Sequence, residues 1–217
     1  MTGAEKRRSL EAKRNKIKFV ERMFMVSVKK INEEDGVVTL QVTGADSSFV
    51  NAIRRVIMQD VLCMAIEDVS IYENDSVMFD ELLAHRLGLL PIKSDAKGFK
   101  RGDSIKMVLD KEGPCTVYSK DIKSTDPKIE VADNKIPLVK LGKGQKLKME
   151  MKAVMLSGRE HVKWQPGVVS FSEDGKGGYE FSVEPNGSLS AKQMLENAVA
   201  VLKEKTGEFE KELKKIK

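Results

Sequence analysis

The chain has 217 residues, 41% of them hydrophobic and 33% charged. That suffices for one large domain or two small ones with a sizeable core, and it is the composition of a soluble globular protein. No apolar run approaches the roughly 18 residues that cross a bilayer, and the basic N-terminus lacks the apolar segment of a secretory signal, so a cytoplasmic protein with no membrane role is expected. The net charge of +5 is carried by the leading segment: residues 1–30 hold ten Lys/Arg and three Asp/Glu (+7), residues 31–217 hold 28 and 30 (−2).

In chain order, residues 1–22 read as a basic N-terminal arm, a frayed helix or disordered segment. Phe24, Val26 and Val28 then alternate with polar neighbours, Glu34-Asp35-Gly36 turns, and Val38, Leu40 and Val42 alternate again, which predicts an antiparallel hairpin. Asp46, Ser47 and Ser48 offer N-caps to a helix carrying Phe49, Ile53, Val56, Ile57 and Val61 at helical spacing. Val69 and Ile71 suggest a short strand. A second helix starting near Ser76 or Asp80 places Phe79, Leu82, Leu83 and Leu87 on one face, with Gly88 set to take a left-handed cap and Pro91 beyond it. From Ser94 to about Met155 the texture is β, clearest where Leu147, Met149, Met151 and Ala153 alternate with charge. Ser172–Gly178 reads as a short polar loop. Tyr179, Phe181 and Val183 mark a last strand, and Pro185-Asn186-Gly187 a turn. Ser190 and Gln193 fit a capping box opening a long final helix, whose stripe runs through Met194, Ala198, Val201, Leu202, Phe209, Leu213 and Ile216, interrupted at Thr206-Gly207.

None of the charged motifs makes a catalytic constellation. The only histidines are His85 and His161; the two cysteines, Cys63 and Cys115, are far apart and no C-x-x-C exists. A tetrahedral zinc site or a four-cysteine cluster therefore cannot be built by this chain alone. Two reduced thiols or a single disulfide are the alternatives for the cysteines. In Phe49–Arg55, FVNAIRR, the face of Phe49, Ala52, Ile53 and Val56 can pack on another helix while Arg54 and Arg55 point away, either solvated or held to carboxylates of another protein. His85-Arg86 closes the second helix, where cations complement the dipole. Gly158–Gly167, GREHVKWQPG, reads as an exposed loop whose Arg159 and Trp164 are residue types of binding hot spots, or as a plain surface loop with a half-buried tryptophan.

Taken in order, Asn51–Arg55, Leu83–Ile92, Gly158–Gly167 and Asn186–Leu189 resemble the α-like assembly subunits of multisubunit RNA polymerases, a family with an archaeal D branch and the bacterial α subunit. The resemblance spans about residues 24–205. It implies an α+β fold: a discontinuous dimerisation domain of antiparallel strands and two long helices, residues 23–64 and 171–217, with a mainly β domain, residues 65–170, inserted. It implies a non-catalytic scaffold, in which Phe49, Ala52, Ile53, Val56 and Ile57 on one helix and Met194, Ala198, Val201 and Leu202 on the other face a smaller α-like subunit, called L in archaea. Arg54, Arg55, His85, Arg86, Arg159, His161 and Trp164 would then face larger partners, the second-largest polymerase subunit among them, with small zinc-binding subunits docked beside them. Many archaeal relatives carry a ferredoxin-like insertion with an iron–sulfur cluster after the GREHVKWQPG loop. Here that position holds only Val168–Gly178, without cysteine, so no cofactor is expected.

A competing reading is a free-standing nucleic-acid-binding module that uses the basic arm and depends steeply on salt. The slightly acidic body and 6% aromatic content speak against it. An enzyme ranks third, since no Gly-rich phosphate loop, nucleophile with adjacent base or paired metal ligands can be found.

Overall fold

A computed structural model describes residues 25–94 and 98–216; the basic arm and Phe24 lie outside them. The described residues form an α+β fold of antiparallel sheets and three helices. They divide into two compact units: residues 25–54 with Val169–Val183, and Arg55–Val168 with residues 184–216.

In the first unit, β1 (Ser27–Glu34) and β2 (Val37–Thr43) form the expected hairpin. The turn needs positive φ at both central positions, which Asp35 (50°) and Gly36 (81°) supply. Two further strands, β9 (Gly167–Glu173) and β10 (Gly178–Pro185), complete a sheet of order β1-β2-β10-β9. Leu40 pairs with Phe181 and Val42 with Tyr179, so the alternating apolar residues of both strands share one face. β1 lies on the outer edge, is exposed along its whole length, and carries a bulge between Lys30 and Asn32.

The expected loop at Ser172–Gly178 is shorter than that, because β9 runs to Glu173. Asp174 organises the remaining turn: Oδ1 accepts the N–H of Lys176 (2.8 Å) and Gly178 (2.9 Å), and Oδ2 accepts Nε2 of Gln41 (3.1 Å). The Gly178 and Lys176 amides, with Gln41, hold its carboxyl below the usual range.

Helix α1 spans Ser47–Gln59, ending two residues short of Val61. Asp46 caps it, its Oδ1 accepting the N–H of Phe49 at 2.8 Å. The chain then turns directly into β3, which is 13 residues long (Leu62–Asn74) rather than the short strand expected around Val69. Its first half, Cys63–Ile66, is buried on both faces, so no alternation marks it.

The second unit centres on β3, β4 (Ser104–Glu112), β8 (Lys146–Ser157) and the short β6 (Lys123–Ser124), in sheet order β3-β8-β4-β6, beside a two-stranded sheet of β5 (Cys115–Tyr118) and β7 (Pro137–Leu141). Met107 and Leu109 face Met149 and Met151 in one core cluster with Ile66, Leu83 and Leu87. The opposite face of this sheet is charged, with Lys106–Glu150, Lys148–Asp110 and Lys152–Asp68 at 2.8, 3.9 and 3.7 Å; such exposed pairs contribute little stability.

Two expectations for the second helix, α2 (Asp80–Gly88), need correction. Leu83 and Leu87 are buried, but Phe79 and Leu82 are exposed. A nine-residue helix presents only one narrow stripe to the core, and positions 79 and 82 fall on the next one. Gly88 stays helical: the last turn closes through Leu89 N–H to His85 O (3.3 Å) and Leu90 N–H to Leu87 O (3.1 Å), with Leu89 at φ −89°. The final helix, α3 (Ala191–Leu213), opens with the expected capping box. Ser190 Oγ accepts the Gln193 N–H at 3.3 Å, and Gln193 Oε1 accepts the Ser190 N–H at 2.9 Å.

Candidate subunit-docking surfaces

α3 carries two apolar stripes. The inner one, Ala191, Met194, Ala198 and Val201, ends in Lys205; Ala191, Met194 and Ala198 are buried in the chain's own core. Gly167 makes room for Met194: a Cβ there would stand 2.9 Å from the methionine methyl and 2.2 Å from Glu184 O. The outer stripe lies one residue on, about 100° around the axis. It runs Leu195, Val199, Leu202, Thr206, Phe209, Leu213 and, past the helix end, Ile216. This alternation of four and three is the spacing of a helix seam that seats another helix. Leu195 and Leu202 are half-buried, whereas Val199 is 41%, Phe209 65% and Leu213 48% exposed. Thr206, the one polar member, donates its hydroxyl to Leu202 O at 2.7 Å and so leaves its methyl for the seam.

Of the residues expected to face a smaller partner, Val56, Ile57, Met194 and Ala198 are therefore interior. Ala52, Ile53, Val201 and Leu202 are half-buried, and Phe49 is 45% exposed. The sequence stripe merged the inner and outer rows of α3, because Leu202 and Phe209 continue the 3.6-residue period of Met194 and Ala198.

The GREHVKWQPG loop is closed on itself. Gly158 lets it lie against the end of α1, since a Cβ would meet Met58 O at 2.1 Å. Arg159 N–H bonds Gln59 O at 3.1 Å, and its guanidinium pairs with Asp60. Glu160 accepts from the Ser157 amide (3.0 Å) and hydroxyl (2.8 Å) and pairs with Arg101. His161 Nδ1 accepts the Lys163 N–H at 3.2 Å. Lys163 reaches Ile66 O at 3.0 Å, pairs with Glu67, and lies 4.5 Å from the centre of the Trp164 ring. Trp164 corrects the expectation of a surface anchor: it is 3% exposed, its indole N–H donating to Val154 O at 2.9 Å. A buried indole needs such an acceptor, and a backbone carbonyl of β8 supplies it.

Residues 69–169 match the profile of a family described as the RNA polymerase Rpb3/RpoA insert domain. A DNA-directed RNA polymerase subunit Rpo3 of Methanocaldococcus jannaschii is 48% identical over 172 residues, 79% of this chain and 88% of that relative. The chain belongs to the archaeal RNA polymerase subunit Rpo3 family. Subunits Rpo3 of Pyrococcus horikoshii (39% identical, 66% of this chain) and Methanobrevibacter smithii (43%, 64% of this chain) are matched over only 58% and 54% of their own lengths, so the chain spans little more than half of each.

In this Rpo3-family chain the cations expected to meet larger partners are distributed unevenly. Arg55 and His85 are exposed; Arg54 Nε donates to Asn51 Oδ1 at 3.1 Å; Arg86 is exposed and donates to Pro137 O at 2.7 Å. The same helix also exposes Leu82, and the residues that flank it, Phe79 and Leu89, are exposed as well. Sequence reasoning missed Asp60 and Lys205, which meet at 2.9 Å. Nothing in their local sequence marks them, since they lie 145 positions apart. Among the described residues no helix is long and apolar enough to cross a membrane.

Proposed function

We propose that this chain is a non-catalytic assembly subunit of a DNA-dependent RNA polymerase, paired with a smaller α-like subunit, and that the pair forms the platform on which the large catalytic subunits assemble. The exposed heptad stripe of α3 carries the reading. Val199, Phe209 and Leu213 form an apolar row on a helix that its own core covers only on the adjacent stripe. Burying such a row against a partner helix contributes about 25 cal/mol per Å² before association costs. Phe49 on α1, 45% exposed, is assigned to the same partner. Membership in the Rpo3 family supports the same reading, because the relatives are named as polymerase subunits.

The larger partners, the second-largest subunit and small zinc-binding subunits, are assigned to the cationic side chains Arg54, Arg55, His85, Arg86, Arg159 and His161, with Trp164 supporting that surface from inside. Co-expression with the smaller α-like subunit is expected to give a 1:1 complex by light scattering, and the isolated chain to self-associate through its uncovered stripe. A monodisperse monomer that ignores this partner refutes the proposal.

A further inference from the structure

Asp60 sits where local rules disfavour it. It follows the last turn of α1, its N–H bonded to Val56 O at 2.8 Å, so its carboxylate faces the negative end of the helix dipole. The side chain is also only 10% exposed. Compensation comes from far along the chain. Arg159 donates to it through Nε and Nη2, and Lys205 Nζ reaches Oδ2 at 2.9 Å. Burial alone would raise its proton affinity; the two cations overcome that and hold the carboxyl below the ordinary range. The joint is made tight by backbone: Gly158 abuts Met58 O, and Arg159 N–H is bonded to Gln59 O.

Lys205 occupies a particular place on α3. It is the end of the inner stripe, and the next inner positions, Glu208 and Glu212, are both exposed. The distal half of α3 departs from the body there, carrying Phe209 and Leu213. We propose that Asp60 is a positioning residue for partner docking: by holding Lys205 against Arg159 and the end of α1, it fixes the direction in which distal α3 projects and hence the geometry at which the outer stripe meets a partner helix. This rests on the assignment of that stripe to the smaller α-like subunit. Apolar contacts at position 205 could slide, whereas an ammonium paired with a buried carboxylate is tied to one place. A helix aimed in advance loses less freedom on association.

Spin labels at Lys211→Cys and Lys128→Cys, both exposed sites, in a Cys115→Ser background report the projection of distal α3 as a distance distribution. The distribution is expected to be narrow in the parent and broad in Asp60→Asn. Lys205→Gln, which alters only the half-exposed end of the tie, is expected to broaden it equally, and Lys205→Arg to restore it. In Asp60→Asn and Lys205→Gln affinity for the smaller α-like subunit falls about tenfold, and Lys205→Arg keeps it. Phe209→Glu serves as the contrast: it weakens pairing yet keeps the distribution narrow. An unchanged distribution in both Asp60→Asn and Lys205→Gln overturns the proposal, as does broadening with affinity intact. In those two cases the parent still pairs, so the assembly role stands. A parent chain that binds no such subunit removes both.

Discussion

The loop Gly158–Pro166 and the distal half of α3 look equally like docking surfaces in one dimension, and they differ sharply in three. In the loop, Arg159, Glu160, His161, Lys163 and Trp164 each find a partner within the chain. In distal α3, Phe209 and Leu213 stay exposed, as Val199 does before them, although all three keep a strict seam spacing. Polar side chains with long reach settle on nearby carbonyls and carboxylates. Apolar side chains on a helix longer than the body beneath it cannot be covered from within. Unsatisfied apolar surface, more than a concentration of charge, marks where another protein belongs.

That contrast can be tested by substitution, and the inner stripe of α3 is the place of largest expected effect. Met194→Ala removes a fully buried side chain and is expected to destabilise the chain by about 2–5 kcal/mol in urea unfolding. On the outer stripe, Phe209→Glu should change stability by no more than about 0.5 kcal/mol while lowering affinity for the smaller α-like subunit by about 10- to 100-fold in calorimetry. If both substitutions destabilise alike, the two stripes are not distinct and the comparison fails.

For the loop, Trp164→Phe loses the indole N–H bond to Val154 O and leaves a smaller ring in a buried site; a loss of about 1–3 kcal/mol is expected in thermal or urea unfolding. A neutral result would show that the loop draws no stability from its internal closure. The smallest effect is in acid. Asp60 has a folded-state proton affinity below its unfolded one, so its contribution is full above the ordinary carboxylate value near 3.9 and is lost as pH falls through the lower folded value. Urea midpoints between pH 3 and pH 6 are expected to fall less steeply at the acid end in Asp60→Asn than in the parent. Parallel curves would show that Asp60 is not held by its cations.

Much of the fold was legible because the signals were local. Asp35-Gly36 fixed a two-residue turn, the alternation of Leu147 to Ala153 marked β8, and Ser190 with Gln193 opened α3. Features decided by remote neighbours were not. The first half of β3 is buried on both faces, so Leu62–Ile66 shows no period. Phe79 and Leu82 satisfy a helical spacing, and only the position of the sheet decides that Leu83 and Leu87 point inward instead. Trp164 reads as a hot-spot residue until Val154 O is placed against its nitrogen. At the candidate site, the helix and its apolar residues could be read, but their division into inner and outer stripes required knowing where the body ends.

The edge strand β1 bears on the life of the chain before assembly. A protein that waits with an uncovered helix seam is exposed to association, and a second open edge of regular strand would add a route to endless stacking. The bulge between Lys30 and Asn32 breaks the ladder in mid-strand, and Lys29, Lys30, Glu33 and Glu34 crowd that border with charge. Such devices stop strands from recruiting one another. Under the proposed pairing, copies still without a partner are therefore expected to avoid fibre growth through this edge.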